Sequence, residues 1–303
     1  MINGIMNIYK EAGFTSHDVV AKLRGIVGQK KIGHTGTLDP DAVGVLPVCF
    51  GNATKLCDML TDKSKEYEVC MLLGVTTDTQ DMSGRVLEER EPVADEKAVA
   101  AAIMSFVGGY EQIPPMYSAL KVNGKRLYEL ARQGIEVERK PRHVDIPDIR
   151  IINVDLPRVR FAVECSKGTY IRSLCADIGE RLGCGAAMET LVRTRVGGFR
   201  IEDALTLSDV ERLIASGEYE KHVIAPDCVF TECRAAVAGN ESAQRALCNG
   251  NKLAAAQLDL GAEENAAFED GERLRVYDTR GEFKALYAYV KAEACFKPLK
   301  MFL

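Results

Sequence analysis

Apolar positions recur along the chain with two different periods, which predict a mixture of helices and strands. Residues 14–28 carry an apolar stripe at helical spacing: Val19, Val20, Leu23, Ile26 and Val27. We expect Ser16 to cap this helix, Asp18 to lie in its first turn and Gly28 to end it. Residues 96–108 and 205–219 predict further helices.

Two segments alternate with the period of a half-buried strand. The first, residues 66–75, places apolar side chains on one face: Tyr67, Val69, Met71 and Leu73. The second, residues 158–165, alternates in the same way and is followed by a glycine turn and a helix that ends at Gly183. Residues 29–50 are loop-like and end in an apolar run from Val43 to Phe50.

The segment pattern also predicts how the chain is organised. Residues 112–144 form a long excursion with a helical centre, and excursions of this length are usually functional. After about residue 230 the pattern changes to short strands, with a turn at 278–281. The 303 residues are enough for about two domains, so we predict one at 1–230 and a small one at 231–303.

Composition excludes several classes of protein. No apolar run approaches the roughly 18 residues of a transmembrane helix, and the N-terminal residues lack the pattern of a signal peptide, so we expect a cytoplasmic protein. The ten cysteines are scattered without a C-x-x-C pair and there are four histidines, which disfavours zinc. Buried, reduced cysteines are the simpler interpretation.

The net charge of -5 argues weakly against a nucleic-acid partner, but the charge is unevenly distributed. Residues 261–272 are strongly acidic, whereas residues 121–143 hold seven basic side chains against three glutamates. From composition alone, a solvated helix face explains this stretch better than a nucleic-acid site does. The basic residues are Lys121, Lys125, Arg126, Arg132, Arg139, Lys140 and Arg142.

One short stretch, GHTGTLDPDAVGVLP at 33–47, has the composition of a rigid loop that presents a carboxylate. Proline after Asp39 keeps that residue out of the helical region, and the glycines allow close approach of a ligand. The residues alone leave open a plain turn, a nucleophile, a general base or a metal ligand. A working carboxylate has to stay ionised, and Arg172 is a candidate partner.

Four stretches in order resemble the tRNA pseudouridine synthases of the TruB type. They are the loop at 33–47, KSKEYEVCMLLGVTTDTQDMSG at 63–84, QIPPMYSALKVNGKRLYELARQG at 112–134 and SKGTYIRSLCADIGERLGCGAAMETLVRTRVGGF at 166–199. The resemblance covers most of residues 4–210 and fades beyond them. Asp41, within the loop, is a charge where small or apolar residues are typical.

The resemblance implies roles for residues whose default interpretation is structural. Asp39 is the implied catalytic aspartate, and Arg172 is its implied ion-pair partner. Tyr67 would stack on the target base, and His34 would help to hold the target nucleotide outside the T-loop. Tyr170 and Leu191 would line the uridine pocket.

The implied reaction is isomerisation of the T-loop uridine, position 55 of tRNA, to pseudouridine. The base has to be flipped out of folded RNA, and stacking on an aromatic ring recovers part of the cost. Asp39 could attack C1′ of the ribose or remove a proton from C2′, and the resemblance favours the second route. No cofactor or metal is implied, and the basic residues of 112–144 would contact phosphates.

The implied fold is α+β, with a mixed, largely antiparallel sheet flanked by helices and a C-terminal PUA-like β module. The implied partner is the T-stem-loop of tRNA, and we expect a monomer without a membrane or an obligate protein partner. Three alternatives stay open. They are a guide-RNA-dependent synthase subunit, a tRNA-binding or folding chaperone, and a hydrolase with Asp39 as nucleophile.

Overall fold

A computed structural model describes residues 1–92, 95–122, 124–261 and 267–303. The first fourteen strands are β1 (Gly4–Lys10), β2 (Ile32–His34), β3 (Val43–Phe50), β4 (Lys65–Leu73), β5 (Val75–Thr77), β6 (Val86–Glu89), β7 (Gly108–Gln112), β8 (Lys121–Val122), β9 (Lys125–Arg126), β10 (Arg142–Ile146), β11 (Asp148–Asp155), β12 (Arg158–Cys165), β13 (Ala186–Val196) and β14 (Phe199–Arg200). The last six are β15 (Arg234–Ala238), β16 (Leu253–Ala254), β17 (Leu258–Asp259), β18 (Arg273–Tyr277), β19 (Phe283–Val290) and β20 (Cys295–Met301). The α-helices are α1 (Ser16–Val27), α2 (Cys57–Thr61), α3 (Glu96–Met104), α4 (Leu127–Arg132), α5 (Ile171–Arg181), α6 (Leu207–Ser216) and α7 (Glu241–Cys248).

An eight-stranded mixed sheet forms the N-terminal part, in the order β1-β3-β13-β4-β12-β11, with β2 paired to β3 and β14 to β13. The pairing of β3 with β13 is parallel, whereas its other pairings are antiparallel. Helices α3 and α5 pack on β4, β12 and β13 in one apolar cluster, and α1 and α6 pack on β1 and β3 in another. The predicted α+β class with a mixed, largely antiparallel sheet is confirmed.

Strand β4 has the burial pattern that its alternating sequence predicts. Its burial alternates strictly, with Tyr67, Val69, Met71 and Leu73 inside, as the spacing predicts. The predicted strand at 158–165 and the helices over 14–28, 96–108 and 205–219 are also observed. Strand β2 was not predicted, because three residues are too few to show an alternation.

The predicted N-cap of α1 is wrong by one residue. Thr15 caps the helix, since its side chain accepts a hydrogen bond from the Asp18 amide, and the Asp18 carboxylate accepts one from the Thr15 amide. Ser16 is the first helical residue, and its hydroxyl is used elsewhere. Gly28 ends the helix in the left-handed conformation, as predicted.

Gly44 allows β3 and β13 to pair in parallel. Its φ is +106°, and a Cβ at this position would lie 2.2 Å from the carbonyl oxygen of Arg193. Only glycine combines this backbone conformation with so close an approach. The pairing fixes where the loop between β2 and β3 leaves the sheet.

The excursion at 112–144 is anchored at its base by antiparallel pairing of β7 with β10. Beyond this base it contains the two-residue strands β8 and β9, which form a hairpin, and the short helix α4. Leu127 and Leu130 are its buried helical side chains. The excursion is therefore a structured insertion.

A second, six-stranded sheet begins at Arg234, in the order β16-β20-β19-β18-β15-β17, and its nearly closed form agrees with the predicted PUA-like module. A turn lies at Thr279 and Arg280, within the predicted 278–281. An apolar cluster joins this sheet to β1 and β3 through residues that include Ile5, Cys49 and Phe302. Of the acidic run 261–272, residues 262–266 lie outside the described residues.

Among the helices within the described ranges, none is both long and apolar enough to cross a bilayer.

Candidate active site

The loop between β2 and β3 presents Asp39 and is tied down on both sides of it. The Ser16 hydroxyl accepts a hydrogen bond from the Leu38 amide at 2.9 Å. The buried ammonium of Lys10 donates to the Pro40 carbonyl at 2.9 Å. Leu38 and Ala42 insert into the core cluster. Asp39 is therefore carried by a loop whose neighbouring residues are anchored.

Arg172 lies at the start of α5 and binds Asp39 through two contacts. Its Nε is 3.0 Å from Oδ2, and its Nη2 is 3.3 Å from Oδ1. The Arg172 side chain is 7% exposed, whereas that of Asp39 is 41% exposed. A bidentate pair of this kind fixes direction as well as charge. Arg172 thus fixes the orientation of the carboxylate, while part of the Asp39 side chain stays exposed to solvent.

A second carboxylate shares the same guanidinium. Asp81 Oδ2 lies 3.3 Å from Arg172 Nη1, while its Oδ1 accepts from Thr79, from the Ser83 amide and from the Ser83 hydroxyl. Asp81 was not singled out from the sequence, where it lies in the polar segment 76–85. The available signal was the D-x-S spacing, which is typical of an aspartate that bonds its own turn.

Two opposing effects act on the Asp39 carboxyl. Desolvation by the surrounding protein raises the pKa of Asp39 above its ordinary value, and the charge of Asp81 raises it further. The charges of Arg172 and Lys10 lower it. The net shift is upward, so Arg172 offsets part of the cost of placing a carboxylate in this partly buried position.

Tyr67 and Leu191 form one wall beside the loop. Both are buried, and both belong to the cluster that contains Leu38 and Ala42. Burial raises the pKa of the Tyr67 phenol, and the charge of Asp39 raises it further. A planar ring beside a carboxylate can support a flipped base while the carboxylate acts on the sugar.

Tyr170 precedes α5 and is positioned by the insertion. The Tyr170 amide donates to Gln112 Oε1 at 2.8 Å, and Gln112 Nε2 donates to the Tyr170 carbonyl at 3.0 Å. Gln112 is 1% exposed. The insertion also contacts Arg172 directly, because the Tyr117 carbonyl accepts from Nη2 at 2.9 Å. Neither Gln112 nor Tyr117 was singled out from sequence.

His34 ends β2 and is half-buried. Burial lowers the pKa of His34, which favours the neutral imidazole at pH 7. Its Nδ1 is buried without a hydrogen-bond partner among the described residues. The structure places His34 on the strand that leads into the Asp39 loop.

The basic residues of the insertion divide into two groups. Six are exposed: Lys121, Lys125, Arg126, Arg132, Lys140 and Arg142. The guanidinium groups of Arg126 and Arg132 lie 5.8 and 5.4 Å from the Tyr128 ring centre. Arg139 instead donates to the Pro114 carbonyl at 3.2 Å and pairs with Glu136, so it is used within the insertion.

The cysteines are dispersed through the structure. All ten are free, and six of them are buried. Within the described ranges, no group of three His, Cys, Asp or Glu side chains is arranged to hold a metal ion. The side chains that the site offers for chemistry are the Asp39 carboxylate on its loop, the Arg172 guanidinium and the Tyr67 ring.

The mixed sheet and this carboxylate site define the class of the protein as a pseudouridine synthase. Family models narrow the class further. Residues 24–171 match the TruB family pseudouridylate synthase N-terminal domain, and residues 172–229 match the tRNA pseudouridylate synthase B C-terminal domain. The chain belongs to the TruB family of pseudouridylate synthases.

Curated relatives match over the full length. A tRNA pseudouridine synthase B of Lachnoclostridium phytofermentans is 50% identical and covers 100% of both chains. The one from Clostridium acetobutylicum is 44% identical, over 94% of this chain and 95% of its own. The one from Bacillus velezensis is 40% identical, over 100% of this chain and 98% of its own.

Solved structures show a more distant likeness. A Cbf5-Nop10-Gar1 complex contains a chain that is 28% identical with a TM-score of 0.74, and the match covers 99% of this chain and 85% of that one. An H/ACA RNP bound to a substrate RNA containing 2′-deoxyuridine gives 26% identity and a TM-score of 0.72, with coverage of 99% and 85%. These likenesses cover both sheets.

Proposed function

We propose that this chain isomerises the T-loop uridine of tRNA, position 55, to pseudouridine, with Asp39 as the catalytic carboxylate. The observation that carries the proposal is the bidentate contact of Asp39 with buried Arg172, on a loop anchored at Leu38 and Pro40. The full-length match to relatives named tRNA pseudouridine synthase B supports tRNA as the substrate.

The reaction breaks the bond between N1 of the base and C1′ of the ribose and forms a bond from C5 to C1′. The proton on C5 leaves and N1 gains a proton, so no electrons are exchanged with another molecule. Asp39, in its anionic form, takes the C2′ proton as the bond from C1′ to N1 breaks, which leaves a double bond between C1′ and C2′. It returns this proton to C2′ as C1′ bonds to C5, so the carboxylate is anionic again at the end. Arg172 favours that form by its charge.

The base has to leave the RNA stack before Asp39 can reach its sugar. Flipping costs a few kcal/mol, and stacking on the Tyr67 ring recovers part of this cost. Tyr170 and Leu191 close the pocket around the base, and His34 holds the flipped nucleotide away from the loop. The exposed basic residues of the insertion contact phosphates on either side.

We propose a monomer that works in the cytoplasm without a guide RNA, cofactor or obligate protein partner. The intact insertion favours this form, because it gives the chain its own basic surface for RNA. The guide-dependent and chaperone alternatives predict no product from the protein and tRNA alone.

The test is incubation of the protein with unmodified tRNA transcript, followed by carbodiimide labelling and primer extension. We expect one new stop at the T-loop uridine. Asp39→Asn should abolish that stop while tRNA affinity is kept, because the amide retains the shape of the side chain without its charge. Asp41→Asn, an exposed carboxylate on the same loop, is the matched control and should remain active.

Stops at another uridine would move the target and keep the reaction. Full activity of Asp39→Asn would remove Asp39 from its catalytic role. Tight tRNA binding by the wild type without any product would favour the chaperone or guide-dependent alternatives.

A further inference from the structure

Arg193, in the middle of β13, is a fully buried cation that the proposed reaction does not use. It is 1% exposed and is among the largest of the fully buried side chains. A guanidinium keeps its charge in proteins, and burying a charge without an opposite one is costly. Among the described residues, no carboxylate lies within ion-pair distance of it.

The guanidinium contacts the catalytic loop and the strand that follows it. Its Nε donates to the Val45 carbonyl at 2.7 Å, and its Nη2 lies 3.4 Å from the Gly36 carbonyl. Gly36 has a φ of +122°, and its missing Cβ would lie 3.9 Å from Nη1. Arg193 therefore meets the Asp39 loop from inside the sheet, three residues before Asp39.

Tyr67 lies next to Arg193 on the neighbouring strand β4. The two residues are directly opposite each other in the pairing of β13 with β4, so their side chains share one face. Arg193 also acts on the Tyr67 phenol through its charge and side-chain hydrogen bonding, which lowers the pKa of Tyr67 against the effect of burial.

The same strand offers a contrast two residues later. Arg195 pairs with Glu66 at 3.3 Å and with Glu164 at 2.6 Å. It is thus satisfied by carboxylates in the usual manner. Arg193 instead donates to the carbonyls of Val45 on β3 and Gly36 in the Asp39 loop, and it lies opposite Tyr67 on β4.

We propose that Arg193 is a positioning residue that fixes the Tyr67 ring and the Gly36–Asp39 loop relative to each other. This inference deepens the proposed function and rests on it. The planar fork of arginine can donate to a loop carbonyl and a strand carbonyl at once while it faces Tyr67, whereas a lysine ammonium cannot reproduce that geometry.

The first test is Arg193→Lys, which keeps the charge and loses the fork. We expect its single-turnover rate on tRNA to fall on the order of 10²-fold, as for a misplacement of about 1 Å, with tRNA affinity nearly unchanged. In a Tyr67→Phe background, the same substitution should cost much less, because the phenol contact is already missing. Arg195→Lys is the matched control on the same strand and should keep the wild-type rate.

Tyr67→Phe alone supplies a measurement that does not need a folded Arg193 variant. The Nε–H signal of the buried Arg193 should exchange slowly in ¹⁵N spectra, and loss of the Tyr67 hydroxyl should shift it. A wild-type rate for Arg193→Lys, full additivity with Tyr67→Phe, or an unshifted arginine signal would each overturn the proposal. Absence of product with the wild-type protein would instead overturn the proposed function.

Discussion

At the scale of single residues, one guanidinium contacts two carboxylates, and Arg172 and Asp81 shift the pKa of Asp39 in opposite directions. Arg172 lowers the pKa of Asp39, whereas Asp81 raises it, and both carboxylates contact the same side chain. Asp39 can work as a base only when it is ionised, so activity should fall as the pH drops through its pKa. Substitutions at Arg172 and Asp81 can therefore shift the pKa of Asp39 in either direction.

Two substitutions should move the acid limb of the pH–rate profile in opposite directions. Arg172→Gln removes the charge that lowers the pKa of Asp39, so its acid limb should lie at higher pH than in the wild type. Asp81→Asn removes a charge that raises it, so its acid limb should lie at lower pH, even if the plateau rate also falls. Single-turnover rates across acidic pH check both, and shifts in the same direction would contradict this mechanism.

A residue of the candidate site can be predicted from the sequence when a local pattern marks it. Asp39 is marked by its position before a proline between glycines, and Arg172 by its place at the start of a patterned helix. Gln112 and Arg193 carry no such mark, because their partners are 58 and 157 residues away along the chain. The D-x-S spacing of Asp81 marks its turn, but not its contact with Arg172, which is 91 residues away. The predicted N-cap at Ser16 is wrong for a related reason, since the Ser16 hydroxyl accepts a hydrogen bond from the distant Leu38 amide.

At the scale of elements, the insertion has two separate tasks. Its base contacts the site through Gln112 at the end of β7 and through Tyr117 in the loop that follows, whereas its outer hairpin carries exposed charge at Lys121, Lys125 and Arg126. The sequence predicts the excursion and its charge. It does not predict that β7 and β10 pair, because such pairing depends on two segments about 30 residues apart.

Replacing the hairpin charges should therefore weaken RNA binding and leave the chemistry intact. The test is the triple variant Lys121→Ala, Lys125→Ala and Arg126→Ala. For this variant, the slope of the logarithm of the association constant for tRNA against the logarithm of the salt concentration should become shallower by about 0.9 for each phosphate that is no longer neutralised. The single-turnover rate at saturating enzyme should change little. Lys97→Ala, an exposed lysine on α3, is the control and should leave the slope unchanged. An unchanged slope in the triple variant would exclude these residues from the RNA interface.

At the scale of the whole molecule, the two sheets share a core. Phe302 is 6% exposed, its ring lies 5.0 Å from that of Phe283, and its carbonyl accepts from Asn52 in the N-terminal part. The pattern of short strands after residue 230 predicts a separate module, and the apolar faces that join it to β1 and β3 cannot be paired from sequence alone.

The shared core should make the two sheets unfold together. Phe302→Ala should lower the free energy of unfolding by about 3 kcal/mol, as other large-to-small core changes do, and should do so within a single transition. Leu299→Ala, at a side chain that is 50% exposed, should change it by less than about 0.5 kcal/mol. Differential scanning calorimetry of the full chain measures both, and two separated transitions in the wild type would show that the shared cluster does not couple the sheets.

The glycine at position 44 bears on how the protein tolerates change over time. It performs no chemistry, yet a methyl group there would collide with the Arg193 carbonyl while forcing an unfavourable backbone conformation. A survey of surviving substitutions would therefore rank Gly44 beside Asp39 as equally intolerant. The two positions differ in what a substitution would do. A substitution at Gly44 should prevent folding, whereas one at Asp39 should leave a folded protein that binds tRNA without turning it over. In this sheet, a position can therefore resist substitution because it maintains the fold around Asp39, and not only because it takes part in the reaction.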